Sequence, residues 1–199
     1  AKVMEYPNNE GIAGLFAMAD KVPDAAPDAV TDINVNFTAD FANTATISFT
    51  APTKTVNGAS LTDPIMAIVN INGTQAAVVE NIQPGTVATT PVLTLAEGLQ
   101  NIEIISANAT AQGNKASTTT WVGEDIPAAA ADVVLVNHDG KPHLSWTAPT
   151  AGKNGGYVGN LTYRVERNDG VVVAEATTET SLTGLQKGKY SLTEYKVTA

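Results

Sequence analysis

Two histidines, His138 and His143, are the side chains of this 199-residue sequence best suited to proton transfer near neutral pH. His138 stands in Asn137-His-Asp-Gly140, a turn signal that places it in solvent. His143 opens a strand carrying Trp146 and reads as an edge or surface residue. The pair could approach across the turn, but no third ligand accompanies it, and a zinc site takes three or four. A serine nucleophile would need one of these histidines as base with an acid to orient it, and no Gly-x-Ser-x-Gly elbow is present. Glycoside hydrolysis needs paired carboxylates facing a cleft. The acids here are scattered, and Asp20, Asp24, Asp28, Glu124 and Asp125 fall in connecting stretches, where solvated linker charge is the expectation. Calcium at the junction of Glu124 and Asp125 is the sharper alternative, since it takes six to eight oxygens, but there is no Asp-x-Asp-x-Asp-Gly loop. No phosphate-binding loop occurs. The absence of cysteine excludes disulfides, thiolate zinc sites and cysteine nucleophiles together. With 11 Lys+Arg against 20 Asp+Glu and a net charge of −9, no basic face is available for nucleic acid. The chemistry-bearing residues therefore predict no enzyme, no cofactor and no metal, and the charge reads as a solubility feature.

The elements that would carry any surface are strands. Ile33, Val35 and Phe37 alternate with Asn34, Asn36 and Thr38, and Ile47 and Phe49 with Thr46, Ser48 and Thr50. The pattern returns at Leu93/Leu95, Ile102/Ile104, Leu144/Trp146, Tyr163/Val165, Val171/Val173 and Tyr195/Val197. A period of two puts one set of side chains on a core face and the other in water. Asn57-Gly58, Asn72-Gly73, Asp139-Gly140 and Asp169-Gly170 punctuate the runs as turns. Long helical patterns are absent, as is any apolar run long enough to cross a bilayer; Gly11–Ala19 is too short and is followed by Asp20. Short strands at this spacing predict an all-β sandwich or barrel.

The sequence also repeats itself. Ile47-Ser-Phe-Thr-Ala-Pro-Thr53 is echoed by Leu144-Ser-Trp-Thr-Ala-Pro-Thr150, each followed by Asn-Gly, at 57–58 and 154–155. Upstream, Asp32-Ile-Asn-Val35 matches Asp132-Val-Val-Leu135. The spacing is too long for a solenoid unit and suits one small sandwich. The expected organisation is an extended N-terminal arm (1–26), a first domain (27–122), a linker (123–127) and a second domain (128–199).

A Trp on the second strand (Trp146, with Phe49 as counterpart) before an Ala-Pro turn, then Tyr163-Arg-Val165, Leu182 to Leu185 and Tyr195-Lys-Val-Thr-Ala199, together resemble the fibronectin type III domain. The Thr-Ala-Pro-Thr and Asn-Gly variant, with Val-Gly-Glu-Asp-Ile-Pro at the junction, resembles tandem copies in secreted or surface proteins of Bacteroides-type bacteria. The resemblance covers roughly 27–199 and implies tandem immunoglobulin-like, seven-stranded sandwiches used for adhesion, spacing or protein contact without catalysis. It also implies an extracellular or cell-surface location, with any signal peptide already removed. Two departures stand out. The first copy lacks a tyrosine in its sixth strand, where Ile102, Ile104 and Ile105 stand, so packing alone is expected to hold that strand. The second copy reaches Ala199 at the end of what should be strand six, which leaves an open edge. Residues 11–22 precede Asp24-Ala-Ala-Pro-Asp28 much as 113–121 precede Glu124-Asp-Ile-Pro-Ala128, so they read as a last strand standing at the front. Such an arm can lie on its own first domain, end a preceding one, or be donated to a neighbouring chain for self-association.

In the sandwich so implied, the loop after strand two (53–63 and 150–160) and the loop after strand six (108–115) share the end where strand one begins. In the first copy they offer Lys54, Asn57, Gln112, Asn114 and Lys115 for a protein or a glycan. In the second, Tyr157 is expected at an interdomain contact rather than as a ligand platform. Asn-x-Thr triplets at Asn36, Asn72, Asn108 and Asn160 arise readily in an Asn- and Thr-rich β protein and are uninformative in a bacterial one, and no Arg-Gly-Asp occurs. The leading expectation is an adhesion, interaction or spacer module. Its alternatives are a carbohydrate-binding accessory module, which needs an exposed aromatic platform, and strand-exchange self-assembly through the arm.

Overall fold

The computed structural model describes residues 25–109, 111–186 and 194–199. Described residues form strands and turns without a helix, so the all-β expectation holds. The N-terminal arm lies outside them, apart from its last two residues.

In the first copy the strands are β1 (Thr31–Phe37), β2 (Thr44–Thr50), β3 (Ile65–Ile71), β4 (Thr74–Ile82), β5 (Val87–Thr89), β6 (Leu93–Thr94), β7 (Gly98–Ala107) and β8 (Gln112–Val122). One sheet runs β1-β2-β5 with β6 also on β2; the other runs β4-β3-β7-β8. The alternation read from sequence puts Ala45, Ile47 and Phe49 of β2 and Ala67 and Val69 of β3 inward, and all are buried. With Ile102 and Ile104 of β7 they close a core between the sheets, and Ile33 and Val35 of β1 and Ala116 of β8 pack against it. The predicted strand at Leu93/Leu95 is reduced to a two-residue pairing because Pro91 cannot continue the ladder. Buried Thr90 bridges the break: its hydroxyl accepts from Ile47 N at 3.0 Å while its own N–H donates to Ile47 O.

The second copy comprises β9 (Ala131–His138), β10 (Lys141–Thr147), β11 (Tyr163–Arg167), β12 (Val172–Thr177), β13 (Ser181–Leu182) and β14 (Tyr195–Thr198). Its sheets run β13-β10-β9 and β12-β11-β14. Leu144 and Trp146 of β10 and Tyr163 and Val165 of β11 form the core, with the Trp146 and Tyr163 rings edge to face at 5.3 Å. The predicted hairpin turns form as read: Asn72-Gly73 and Asp139-Gly140 each hold two successive left-handed residues, the type I′ geometry that suits the strand twist.

Outer strands are guarded in a repeated way. Left-handed φ angles occur at Asp32 (52°) in β1, Asn81 (56°) in β4, Asp132 (48°) in β9 and Ala176 (54°) in β12. Such residues kink a strand and interrupt its free ladder. The outer strands β5 and β13 are three and two residues long, and very short edges recruit poorly.

Tyr195 supplies the sixth-strand tether that the first copy lacks. Its hydroxyl donates to Gln186 O at 2.9 Å, tying β14 back to the chain ahead of it. Tyr195→Phe should cost about 1 kcal/mol, the usual worth of one such bond, in a denaturant titration. In the first copy packing is not the whole story. Near the start of β7 the buried Gln100 side chain donates to Glu97 O at 3.3 Å, a polar tether where a Tyr was missing.

Candidate functional site: the entry segments

Each sandwich is entered by a short segment laid against the loop after its own second strand. In the first copy Asp28 N donates to Lys54 O and Val56 N to Ala26 O, both at 2.9 Å, with Pro27 opposite Thr55. The other side of this segment meets the end of the sheet. Asn108 Nδ2 donates to Ala25 O at 3.0 Å, Ser106 Oγ donates to Asp28 O, and Asn114 Nδ2 donates to Asp28 Oδ1 at 2.9 Å. The Asn114 amide, followed by the Ala29 N–H, holds the Asp28 carboxyl below its ordinary range.

Three predicted contact residues are thus already engaged. Lys54 gives its carbonyl to the entry segment and pairs with Ser60, Asn57 Oδ1 accepts from Thr55 Oγ1 inside its turn, and Asn114 is bound to Asp28. Lys115 is drawn to Glu103 at 2.8 Å, while Gln112 is exposed at the start of β8. Lys54, through its backbone carbonyl, and Asn114, through its side-chain amide, both hold the one entry segment.

In the second copy Lys153 N donates to Ile126 O and Asp125 N to Tyr157 O, both at 2.8 Å. Asp125 itself corrects the expectation of solvated linker charge, being 5% exposed. Oδ2 accepts from Asn154 N (2.7 Å) and Gly156 N (3.1 Å), and Oδ1 from Asn154 Nδ2 and Ile126 N (both 2.8 Å). Burial pushes this carboxyl up, but the Asn154 side chain and the Asn154, Gly156 and Ile126 backbone N–H groups outweigh it, so it titrates below its ordinary range. These donors suit an anion, not a cation site. Glu124, by contrast, is exposed, and Tyr157 is 41% exposed. Gly152 is required by close approach, because a Cβ there would stand 2.3 Å from Asp125 Oδ2.

The sign of the pH effect follows. A folded-state pKa below the unfolded one stabilises above the unfolded pKa and is lost as pH falls through the folded value. Asp125→Asn should therefore lower the melting temperature of the second sandwich by several degrees at neutral pH. It should also flatten that sandwich's acid-side loss of stability relative to the parent, a comparison read by circular dichroism melts from neutral to strongly acidic pH.

The histidines are placed as surface groups. His138 ends β9 in solvent with Asp139 at 3.3 Å, in the strand rather than in the turn itself, and His143 is half-buried in β10 opposite Val136. The two share a sheet face with Lys141, and among the described residues no three His, Cys, Asp or Glu side chains gather as metal ligands. No helix among the described residues is long and apolar enough to cross a membrane.

No family model matches the chain, and no curated protein does. Among solved structures it is similar to the FN1–FN3 domains of chicken CNTN1, at 14% identity and a TM-score of 0.38, over 87% of this chain and 60% of that one. It is similar to the central fibronectin-III array of RIM-binding protein at 16% identity and a TM-score of 0.34, over 89% of this chain and 59% of that one. The Clostridium perfringens spore cortex lytic enzyme SleM matches at 17% identity and a TM-score of 0.34, over 48% of this chain and 28% of that one.

Proposed function

We propose that the chain is a non-enzymatic spacer and interaction portion of a secreted or surface-exposed bacterial protein, organised as tandem fibronectin type III-like sandwiches over 27–122 and 128–199. The observation that carries this reading is the pinning of each entry segment onto its own sandwich, by hydrogen bonds to the loop after the second strand in both copies. A chain held at its points of entry transmits tension into the sheets instead of peeling loosely from them.

Single-molecule pulling from the two termini tests it. A spacer of this kind should unfold in two discrete events, one per sandwich, and refold between pulls. A featureless extension would contradict the reading. Among the described residues Phe49, Trp146, Tyr163 and Tyr195 lie in or against the cores, so on a glycan array the chain is expected to be silent; a reproducible hit there would favour the carbohydrate-binding alternative.

A further inference from the structure

The sheet β13-β10-β9 turns one face to Leu144 and Trp146 and the other outward, and the outward face is not an ordinary polar one. Register pairs Ser145 with Val134, His143 with Val136 and Lys141 with His138, so these six share it. Val134 and Val136 are 46% and 47% exposed, His138 and Lys141 are exposed, and His143 is half-buried beside them. Thr183 and Gly184, just past β13, join His138, Asp139, Lys141 and His143 around one hollow. The face is graded along the hairpin, with the valines at one end and the cationic groups toward the turn.

The first copy has Asn34, Asn36, Thr38, Thr44, Thr46 and Ser48 at the same positions of the repeat. Those neutral groups satisfy one another: Asn36 Nδ2 donates to Ser48 Oγ at 3.1 Å, and the Thr38 and Thr44 hydroxyls share a hydrogen bond of 2.6 Å. In the second copy valines stand in place of both asparagines, and two imidazoles and an ammonium in place of three threonines. Few charges answer them. Asp139 lies 3.3 Å from His138 at the turn, Asp132 at the far end accepts from Thr147 Oγ1 at 3.1 Å, and β13 brings no charged side chain. Among the described residues neither Lys141 nor His143 has a carboxylate partner.

The joining of cations to valines selects the partner. Carboxylates complement Lys141 and the imidazoles, and apolar side chains complement Val134 and Val136. A polyanionic sugar would answer the charges but not the valines, and none of the side chains named on this face is aromatic, as stacking on a sugar ring would require. We infer that the outward face of β9 and β10 binds an extended acidic segment of a partner protein, its carboxylates on His138, Lys141 and His143 and its neighbouring apolar residues on Val134 and Val136. The contact tightens in mildly acidic surroundings, where imidazoles carry a proton. This deepens the proposed function by giving the interaction module a partner chemistry, and rests on that reading only in taking the chain to be one.

Titration of the full chain into the fluorescently labelled peptide Ser-Glu-Ser-Glu-Ser-Val-Ser-Val-Ser, read by anisotropy, tests it. Expected is saturable binding that tightens several-fold from about pH 8 to about pH 5.5 and weakens as salt is raised. Giving the second copy the residues of the first, by His138→Thr, Lys141→Thr and His143→Thr together, should weaken binding about tenfold and remove its pH dependence. Val134→Asn with Val136→Asn should weaken it while the pH dependence stays. All five positions lie on the outward face, so both variants should keep the parent's circular dichroism melt. A peptide that fails to bind at either pH overturns the proposal, as does binding indifferent to both sets of substitutions or equally good with serine for glutamate. A sulfated polysaccharide that binds this face more tightly than the peptide overturns the assignment of a protein partner. Pulling on the threonine variant still reads the spacer property, so the two ideas fail separately.

Discussion

Trp146→Ala is expected to destabilise the second sandwich by about 3–5 kcal/mol, the range for removing a large buried aromatic. Trp146 is 5% exposed, lies edge to face against the fully buried Tyr163, and shares its core, among the described residues, with buried Leu144, Tyr163 and Val165. Truncation would leave Tyr163 without its ring partner and open a cavity that Leu144 and Val165 are too short to fill. The unpartnered indole N–H moderates the loss, since the variant sheds a buried donor that has no acceptor. A chemical denaturation curve followed by circular dichroism should show the later-copy transition move while the first stays in place. A loss below about 1 kcal/mol would mean that Trp146 is not the core residue its packing describes.

The second large effect is expected at Gly113. A Cβ there would stand 1.8 Å from the Pro27 carbonyl oxygen and 2.9 Å from its carbon. These are backbone atoms of the entry segment, held in place by Lys54, Ser106 and Asn114, so they cannot swing aside as a side chain would. Gly113→Ala must displace β8 or the segment, and the expected cost is about 1–3 kcal/mol, the range for forcing extra volume into a packed site. Hydrogen exchange should show loss of protection at Asp28 and Val56, whose N–H groups bond across this junction. A variant as stable and as protected as the parent would refute the close approach.

The sandwich cores were legible because burial in a sheet is written as period-two alternation, and the repeat of Ile47-Ser-Phe-Thr-Ala-Pro-Thr53 at Leu144 marked the second copy. Asp125 was not legible. A carboxylate at a junction reads the same whether solvated or capped, and three of its four donors come from Asn154 and Gly156, far along the chain. Asn154-Gly155 announced a turn, but not what the turn would hold. Val133 and Leu135 stand where the repeat has Ile33 and Val35, yet they are exposed, because burial needs a facing layer as well as a face, and local sequence describes only the face. Sequence offered Lys54, Asn57 and Asn114 as polar loop residues, but it does not reveal that the Lys54 carbonyl and the Asn114 amide also hold the entry segment.

The two tryptophans of this chain occupy unlike surroundings: Trp121 is half-buried and donates its N–H to Glu124 O at 3.1 Å, while Trp146 is enclosed with its N–H unpaired. An excited indole lowers its energy by reorienting polar neighbours around its enlarged dipole, which a dry core does not permit. Trp146 should therefore emit at shorter wavelength than Trp121, and the native spectrum should be a sum of two separable bands. Unfolding of the second sandwich would erase the blue component, giving an intrinsic optical gauge of that sandwich in a chain to which no dye has been attached.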